Sequence, residues 1–261
     1  MGPKVETPFE AKVIGVVGGV GPGAGLDLAA KITANTINRR DGDHLPLVMV
    51  SMPHKISDRT AFLLGQEPIN PALAIFEVIE TLEKAGAEIV GIPCNTAHAE
   101  PILDVVKEKM ARNGVKARLV NMLDETCLRL GQVADQNVPA AVLSTLGTYR
   151  SGVYRRYMER HGLKWRDLGL EMIEKVHDVI YNQEYGIKSR LGSDFRQARL
   201  ILEDVLTDLA AKGFGKVVLG CTELPLVLSE SHFKDLELVD PTSLLARALI
   251  RESCPEKLKK N

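Results

Sequence analysis

The 261-residue chain has no long apolar run: no stretch approaches the roughly 20 apolar residues that a membrane-spanning helix needs. Residues 1–12 lack the apolar segment of a signal peptide, so we expect a flexible tail there. There is no basic block and the formal net charge is −1, which argues against nucleic acid as a partner. The four cysteines are widely and irregularly spaced, unlike a disulfide framework. These absences predict a globular, cytoplasmic protein with neither membrane nor nucleic-acid partner.

Two of the cysteines stand at the ends of predicted buried strands. One apolar run stops at a proline, and Cys94, Asn95 and Thr96 follow before a helical pattern begins. A second apolar run ends in the same way with Cys221 and Thr222. Open α/β sheets bind their ligands at the carboxyl ends of strands. The matching placement therefore predicts that both cysteines belong to one site.

Strand-like and helical patterns alternate along the chain, and the order of the first half recurs in the second. Strands are predicted at residues 13–18, 47–52, 89–92 and 118–122, and again at 140–144, 168–173, 216–220 and 236–239. Helices are predicted at about 25–38, 70–85, 101–112, 121–131, 152–161, 195–211 and 240–250. Strands and helices alternate in most α/β proteins, so part of the agreement between the two halves is expected without any duplication.

The repeated order predicts an α/β fold of two pseudo-symmetric lobes, residues 13–122 and 123–261, with a helix crossing between them. Each lobe is expected to hold a mostly parallel four-stranded sheet flanked by helices. If the lobes face each other, both cysteines meet in the cleft between them, and the active site lies there.

A thiol on each wall of a cleft suits the inversion of a stereocentre, because one thiolate removes a proton from carbon and the other thiol returns one to the opposite face. A free thiol has a pKa of about 8.5, and a helix N-terminus, expected after both Cys94 and Cys221, lowers it further. Asn95, Thr96 and Thr222 could hold a substrate carboxylate. Two alternatives remain open at this point: the cysteines are simply small buried residues, or they bind zinc together with His98.

A glycine-rich turn follows the first strand, and two cations follow later ones. Gly19, Val20 and Gly21 lie in a turn that matches a dinucleotide fingerprint only weakly, and we expect its amides to line the cleft floor. Arg59 follows the second strand, and Lys188 follows the sixth after a helical run. Either cation could pair with a second carboxylate of the substrate, or lie on the solvated surface.

The motifs GVVGGVGP, SDRT, IPCNTAH, STLGTYRSGVY and GCTELPL, with IK at Lys188, extend over nearly the whole chain. In these motifs the chain resembles the cofactor-independent aspartate/glutamate racemase family, and within it the aspartate racemase branch. The resemblance implies a racemase without PLP, other cofactor or metal, acting on a small acidic amino acid as a homodimer. The branch often has Met at the position of Val20, so the resemblance does not predict the size of the pocket.

By this resemblance Cys94 and Cys221 are the acid/base pair, and the binding residues come from several loops. The implied substrate-binding residues are Gly19, Val20, Gly21, Arg59, Asn95, Thr96, Thr148, Ser151, Lys188 and Thr222. Aspartate is the expected substrate and glutamate a possible one. The alternatives are a related cysteine-pair enzyme, such as a maleate isomerase or hydantoin racemase, and a non-catalytic sensor of amino acids.

Overall fold

The structure, a computed structural model, describes residues 10–132, 138–190 and 194–260. The strands are β1 (Ile14–Gly18), β2 (Leu47–Ser51), β3 (Ile89–Gly91), β4 (Arg118–Val120), β5 (Ala140–Leu143), β6 (Lys216–Leu219), β7 (His232–Phe233) and β8 (Leu236–Val239). The helices are α1 (Pro22–Asn35), α2 (Arg59–Leu63), α3 (Ala72–Lys84), α4 (Glu100–Arg112), α5 (Met122–Gly131), α6 (Leu146–Ser151), α7 (Val153–Arg160), α8 (Leu170–Tyr181), α9 (Arg196–Ala211) and α10 (Pro241–Ser253). Within these ranges, strands are separated by one or more helices, except that β7 and β8 follow each other directly.

The first sheet is fully parallel, with the strand order β2-β1-β3-β4. Its central strands β1 and β3 are buried along their whole length, as expected for a parallel sheet covered by helices on both faces. Because both faces of these strands are buried, their sequences are continuous apolar runs rich in Ile and Val. The strands end at one edge, where the glycine-rich turn after β1 and the Cys94 loop after β3 come together.

The second sheet has the order β5-β6-β8-β7, and only β7 is antiparallel to its neighbour. Strands β5, β6 and β8 correspond to β1, β3 and β4 of the first sheet. The predicted fold of two related lobes, each with a mostly parallel four-stranded sheet flanked by helices, is confirmed.

The strand predicted at residues 168–173 is wrong, because this segment begins helix α8. The prediction followed a short alternation of apolar residues, but the buried positions of α8 recur at the helical spacing, as Ile173, Val176 and Ile180. The second lobe consequently has no full counterpart of β2. Trp165 alone takes that place, in a single parallel bridge to Ala140.

The last helix of each half crosses to the other half. Helix α10 packs on the first sheet, where Leu245 and Leu249 share a buried cluster with Ile14 and Ile89. Helix α5 packs instead in a cluster with residues of the second sheet. We retain the boundary at residue 122, with this helix crossover, as a proposal.

The chain termini of the described part lie together on the first lobe. The backbone N–H of Lys12 donates to the carbonyl of Ser253, and the Ser253 hydroxyl donates to the Lys12 carbonyl. Most of the predicted tail, residues 1–9, lies outside the described residues. No helix in residues 10–132, 138–190 or 194–260 combines the length and the apolar character that crossing a membrane requires.

Candidate active site

Cys94 lies three residues beyond the end of β3, in a tight loop. Pro93 precedes it, and a single 3-10 turn, Thr96–His98, follows before α4 begins at Glu100. The Cys94 side chain is 7% exposed and forms no disulfide. Helix α4 begins within one residue of its predicted start, six residues after Cys94, so the helix N-terminus expected directly at this cysteine is not there.

His98 fixes the backbone of this loop. The Met122 N–H donates to Nε2 of His98 at 3.3 Å, so Nδ1 carries the proton and donates to the Cys94 carbonyl at 2.8 Å. Complete burial lowers the pKa of His98 to about 4, so the ring is neutral at physiological pH. Because both ring nitrogens are held by backbone groups, neither is free to bind zinc beside Cys94.

Cys221 occupies the equivalent loop after β6, and its thiol has an acidic partner. The Cys221 Sγ donates to Oε2 of Glu223 at 2.9 Å, and Leu224–Leu226 forms a 3-10 turn directly afterwards. Burial, and then the charge of Glu223, raise the pKa of the Cys221 thiol well above its ordinary value. The expectation that a helix N-terminus lowers this pKa is therefore wrong for Cys221.

The two cysteines line one cavity between the lobes. The space left free inside it is about 10 Å³, close to what one water molecule requires. Its walls come from loops at the carboxyl ends of both sheets, from the start of α2, from the end of α8 and from the segment that follows α8. The lining residues are Val20, Arg59, Thr60, Cys94, Asn95, Thr96, Thr145, Tyr181, Lys188, Cys221, Thr222 and Glu223. This space by itself is too small for an amino acid.

Arg59, the first residue of α2, lines the cavity rather than the surface. Its guanidinium donates to the carbonyls of Ser57 and Val20, and its buried Nε has no partner. Burial lowers the pKa of Arg59, but the charges of Cys94 and Asp58 outweigh this effect and raise it. Arg59 is therefore a permanent cation beside Cys94 with one donor unused.

Lys188 approaches the cavity from the other lobe. Its Nζ donates to the Tyr181 hydroxyl at 2.8 Å and lies 3.7 Å from Oδ2 of Asp58. Burial lowers the pKa of Lys188, but the charges of Glu223, Tyr181 and Cys221 reverse the shift, so the pKa is raised. Both cations singled out in the sequence are thus charged and line one cavity.

Asn95 and Thr96 face the same space from the loop of Cys94. Oδ1 of Asn95 accepts a hydrogen bond from the Tyr154 hydroxyl at 2.5 Å, which orients the amide, while the buried Nδ2 has no partner. The Thr96 hydroxyl is hydrogen-bonded at 2.8 Å to that of Thr148 on the second lobe. An unpaired buried N–H is unfavourable, so Asn95 is suited to bind an anionic ligand.

The remaining predicted residues surround the cavity. Gly19 and Gly21 line an adjoining chamber of about 260 Å³, and this chamber shares four lining residues with the cavity: Val20, Arg59, Lys188 and Glu223. Thr148 does not line the cavity, but its hydroxyl is hydrogen-bonded to those of two residues that do, Thr96 at 2.8 Å and Thr145 at 3.2 Å. Ser151 does not line the cavity: its hydroxyl donates to the Thr148 carbonyl at 2.8 Å within α6.

Four lining residues were not predicted from the sequence. They are Thr60, Thr145, Tyr181 and Glu223. Three of them lie in motifs quoted from the sequence: Thr60 in SDRT, Thr145 in STLGTYRSGVY and Glu223 in GCTELPL. Tyr181 lies outside these motifs, and only the folding of the lobes brings it to the cavity.

A buried cavity lined by one cysteine from each of two α/β lobes, with cations beside it, has the composition of an enzyme active site suited to a small anion. Comparison with known protein families identifies the class of enzyme. The model of the family described as Asp/Glu/Hydantoin racemase matches residues 17–249, so the chain belongs to this family. Its aspartate and glutamate racemases are isomerases, and the protein is an enzyme of that class.

Individual relatives agree with this assignment over nearly the whole chain. An aspartate racemase of Picrophilus torridus has a similar structure, with a TM-score of 0.76 at 26% identity, covering 95% of this chain and 96% of that one. The broad specificity amino-acid racemase RacX of Bacillus subtilis is 24% identical over 96% of this chain and 93% of its own length. The glutamate racemase isoform RacE1 of Bacillus anthracis shares the fold, with a TM-score of 0.62 at 17% identity, covering 92% of this chain and 81% of that one.

Proposed function

We propose that the protein racemises an acidic amino acid, aspartate in preference to glutamate, by a mechanism with two bases, Cys94 and Cys221. The observation that carries the proposal is that these side chains, one from each lobe, line a single buried cavity together with Arg59 and Lys188. The family assignment and the similarity to the Picrophilus torridus aspartate racemase support it.

In the proposed reaction one cysteine begins as a thiolate and the other as a thiol. The thiolate takes the α-proton and becomes a thiol, while the electron pair of the broken C–H bond remains on the α-carbon and its carboxylate. The opposite thiol then protonates the other face and becomes a thiolate. By the family resemblance, Cys221 removes the proton of the L-enantiomer and Cys94 that of the D-enantiomer. Since the two thiols supply both proton transfers, the reaction requires neither PLP nor a metal.

Hydrogen-bond donors at the substrate carboxylates lower the barrier, because negative charge develops there when the α-proton leaves. The unpaired Nδ2 of Asn95 and the hydroxyls of Thr96 and Thr222 are the proposed ligands of the α-carboxylate. Arg59 and Lys188 are the proposed ligands of the side-chain carboxylate. A buried pair of cations suits a dicarboxylic amino acid, and the similarity to the Picrophilus torridus aspartate racemase favours aspartate over glutamate.

A chiral assay tests this proposal. The purified protein is incubated with single enantiomers of aspartate, glutamate and alanine, and the products are separated by chiral chromatography. We expect both aspartate enantiomers to interconvert, glutamate to react more slowly and alanine to remain unchanged. The Cys94→Ala/Cys221→Ala double variant is the control for contaminating racemases. Interconversion of no amino acid, or equal rates with wild type and control, would contradict the proposal.

We also propose a homodimer, from the family resemblance, and a cytoplasmic location, because the wide and irregular spacing of the four cysteines suits a reducing compartment. Sedimentation equilibrium of the purified chain tests the first, and fractionation of the source cells tests the second. A monomer at all concentrations, or recovery outside the cytoplasm, would refute them.

A further inference from the structure

Glu223 is a buried carboxylate inside the cavity to which the mechanism above gives no role. Its side chain accepts hydrogen bonds from the Cys221 thiol at 2.9 Å and from the Thr222 hydroxyl at 3.4 Å. Its residue exposure is only 7%. Burying a carboxylate is unfavourable unless charge or hydrogen bonds compensate for the lost water, so its retention in a ligand cavity requires an explanation.

The charges that line the cavity indicate what Glu223 can bind. Arg59 and Lys188 are positive, and Glu223 is the one carboxylate that lines the cavity among the described residues. Asp58 lines only the adjoining chamber. Two cations and one anion complement a molecule with two carboxylates and one ammonium group. A dicarboxylate without nitrogen would leave the Glu223 charge facing its own negative charges.

The position of Glu223 places it beside the reacting carbon. For proton transfer the α-carbon must lie against the Cys221 sulfur, and Oε2 of Glu223 lies within one hydrogen bond of that sulfur. A group attached to the α-carbon is therefore within reach of this carboxylate. On the opposite side of Glu223, Oε1 lies only 2.9 Å from where a side-chain carbon would stand at Gly21, so the turn leaves room for the carboxylate because it has glycine there.

We propose that Glu223 binds the α-ammonium group of the substrate and thereby selects amino acids over dicarboxylates that lack nitrogen; this inference rests on the proposed function. It distinguishes the racemase from relatives that use the same cysteine pair on substrates without an ammonium group. In the absence of substrate, the thiol of Cys221 takes the place of the ammonium as the hydrogen-bond donor to Glu223. Binding of the ammonium then supplies a positive charge beside the thiol that must ionise.

The test compares two ligands that differ only in the ammonium group, aspartate and succinate. Binding of each to wild type and to Glu223→Gln is measured by isothermal titration calorimetry, with racemic aspartate so that turnover leaves the ligand composition unchanged. Gln keeps the size and one acceptor oxygen of Glu but removes its charge. We expect the aspartate affinity to fall at least tenfold, which corresponds to about 1.4 kcal/mol. Succinate affinity should stay within threefold of wild type or increase.

Two further variants separate binding from folding. Glu230→Gln makes the same chemical change in the same segment but outside the cavity, where Glu230 pairs with Arg199, and should leave both affinities unchanged. Glu223→Asp keeps the charge and should keep part of the preference for aspartate. Equal loss of aspartate and succinate in Glu223→Gln, or no loss of aspartate, would overturn the inference alone. A wild type that binds no amino acid would overturn the proposed function and the inference with it.

Discussion

Replacing His98 by glutamine should make the stability of the protein less dependent on pH, and the structure gives the size of the effect. In the folded protein burial lowers the pKa of His98 to about 4, whereas an unfolded histidine has a pKa of about 6.5. Between these two values the unfolded chain binds a proton that the folded protein does not. Lowering the pH therefore favours unfolding, and the stabilising contribution present at neutral pH is lost as the pH falls from about 6.5 to 4.

For a single group with these pKa values, the free energy of unfolding decreases by about 2 kcal/mol between pH 7 and pH 5, and by about 3 kcal/mol over the whole interval. Other groups titrate in the same range, but they are common to wild type and variant and cancel in the comparison. Glutamine is the chosen replacement because its amide can still donate to the Cys94 carbonyl and accept from the Met122 N–H, yet does not titrate.

The assay is urea unfolding of wild type and His98→Gln at pH 7, 6 and 5, followed by circular dichroism. The variant is expected to be less stable than wild type at pH 7 and to lose about 2 kcal/mol less on acidification to pH 5. Parallel pH dependence in the two proteins would refute the assignment of His98 as the neutral clamp on the Cys94 loop.

Three further outcomes follow from the site. Arg59→Met should lower kcat/KM for aspartate about 10- to 150-fold, since a charge-assisted hydrogen bond is worth about 1.5–3 kcal/mol. Unchanged kinetics would show that Arg59 does not contact the substrate. Burial and a neighbouring carboxylate raise the pKa of the Cys221 thiol, so the racemisation rate of L-aspartate should be highest on the alkaline side of neutrality and fall on both sides of that optimum. A rate that does not change between pH 6 and pH 10 would contradict the acid–base pair. A side-chain carbon at Gly147 would lie 2.7 Å from the Cα of Thr60, so Gly147→Ala should lower activity at least tenfold and the free energy of unfolding by about 1–3 kcal/mol. Gly42 has open space around it, so the control variant Gly42→Ala should change neither quantity.

The sequence predicted the parts of the fold in which local pattern and burial agree. The strands that carry the two cysteine loops are short apolar runs buried on both faces, so their pattern does not depend on the rest of the chain. Helices were predicted from residues 121 and 240, and the N-caps lie at these positions: the Asn121 side chain accepts two backbone N–H groups of the helix that follows it, and that of Asp240 accepts one. The two segments are thus specified locally.

Predictions from local pattern failed where a segment's structure depends on more distant packing. Apolar and polar residues alternate at the start of α8, as they do in a strand. Only the apolar positions further along, Val176 and Ile180, show the helical face that packs in the core. Glu223 was missed for a different reason. A charged residue two positions after a cysteine is usually solvated, and it is the closure of the first lobe over it, at Gly21, that buries the carboxylate in the cavity.

Deuterium exchange by the single-cysteine variants tests the two-base mechanism most directly. Cys94→Ala and Cys221→Ala are each incubated with L- and D-aspartate in heavy water, and the α-proton is followed by NMR alongside chiral chromatography. We expect racemisation to collapse in both variants, while Cys94→Ala slowly exchanges the α-proton of L-aspartate and Cys221→Ala that of D-aspartate. Racemisation by Cys94→Ala at the wild-type rate would contradict the account.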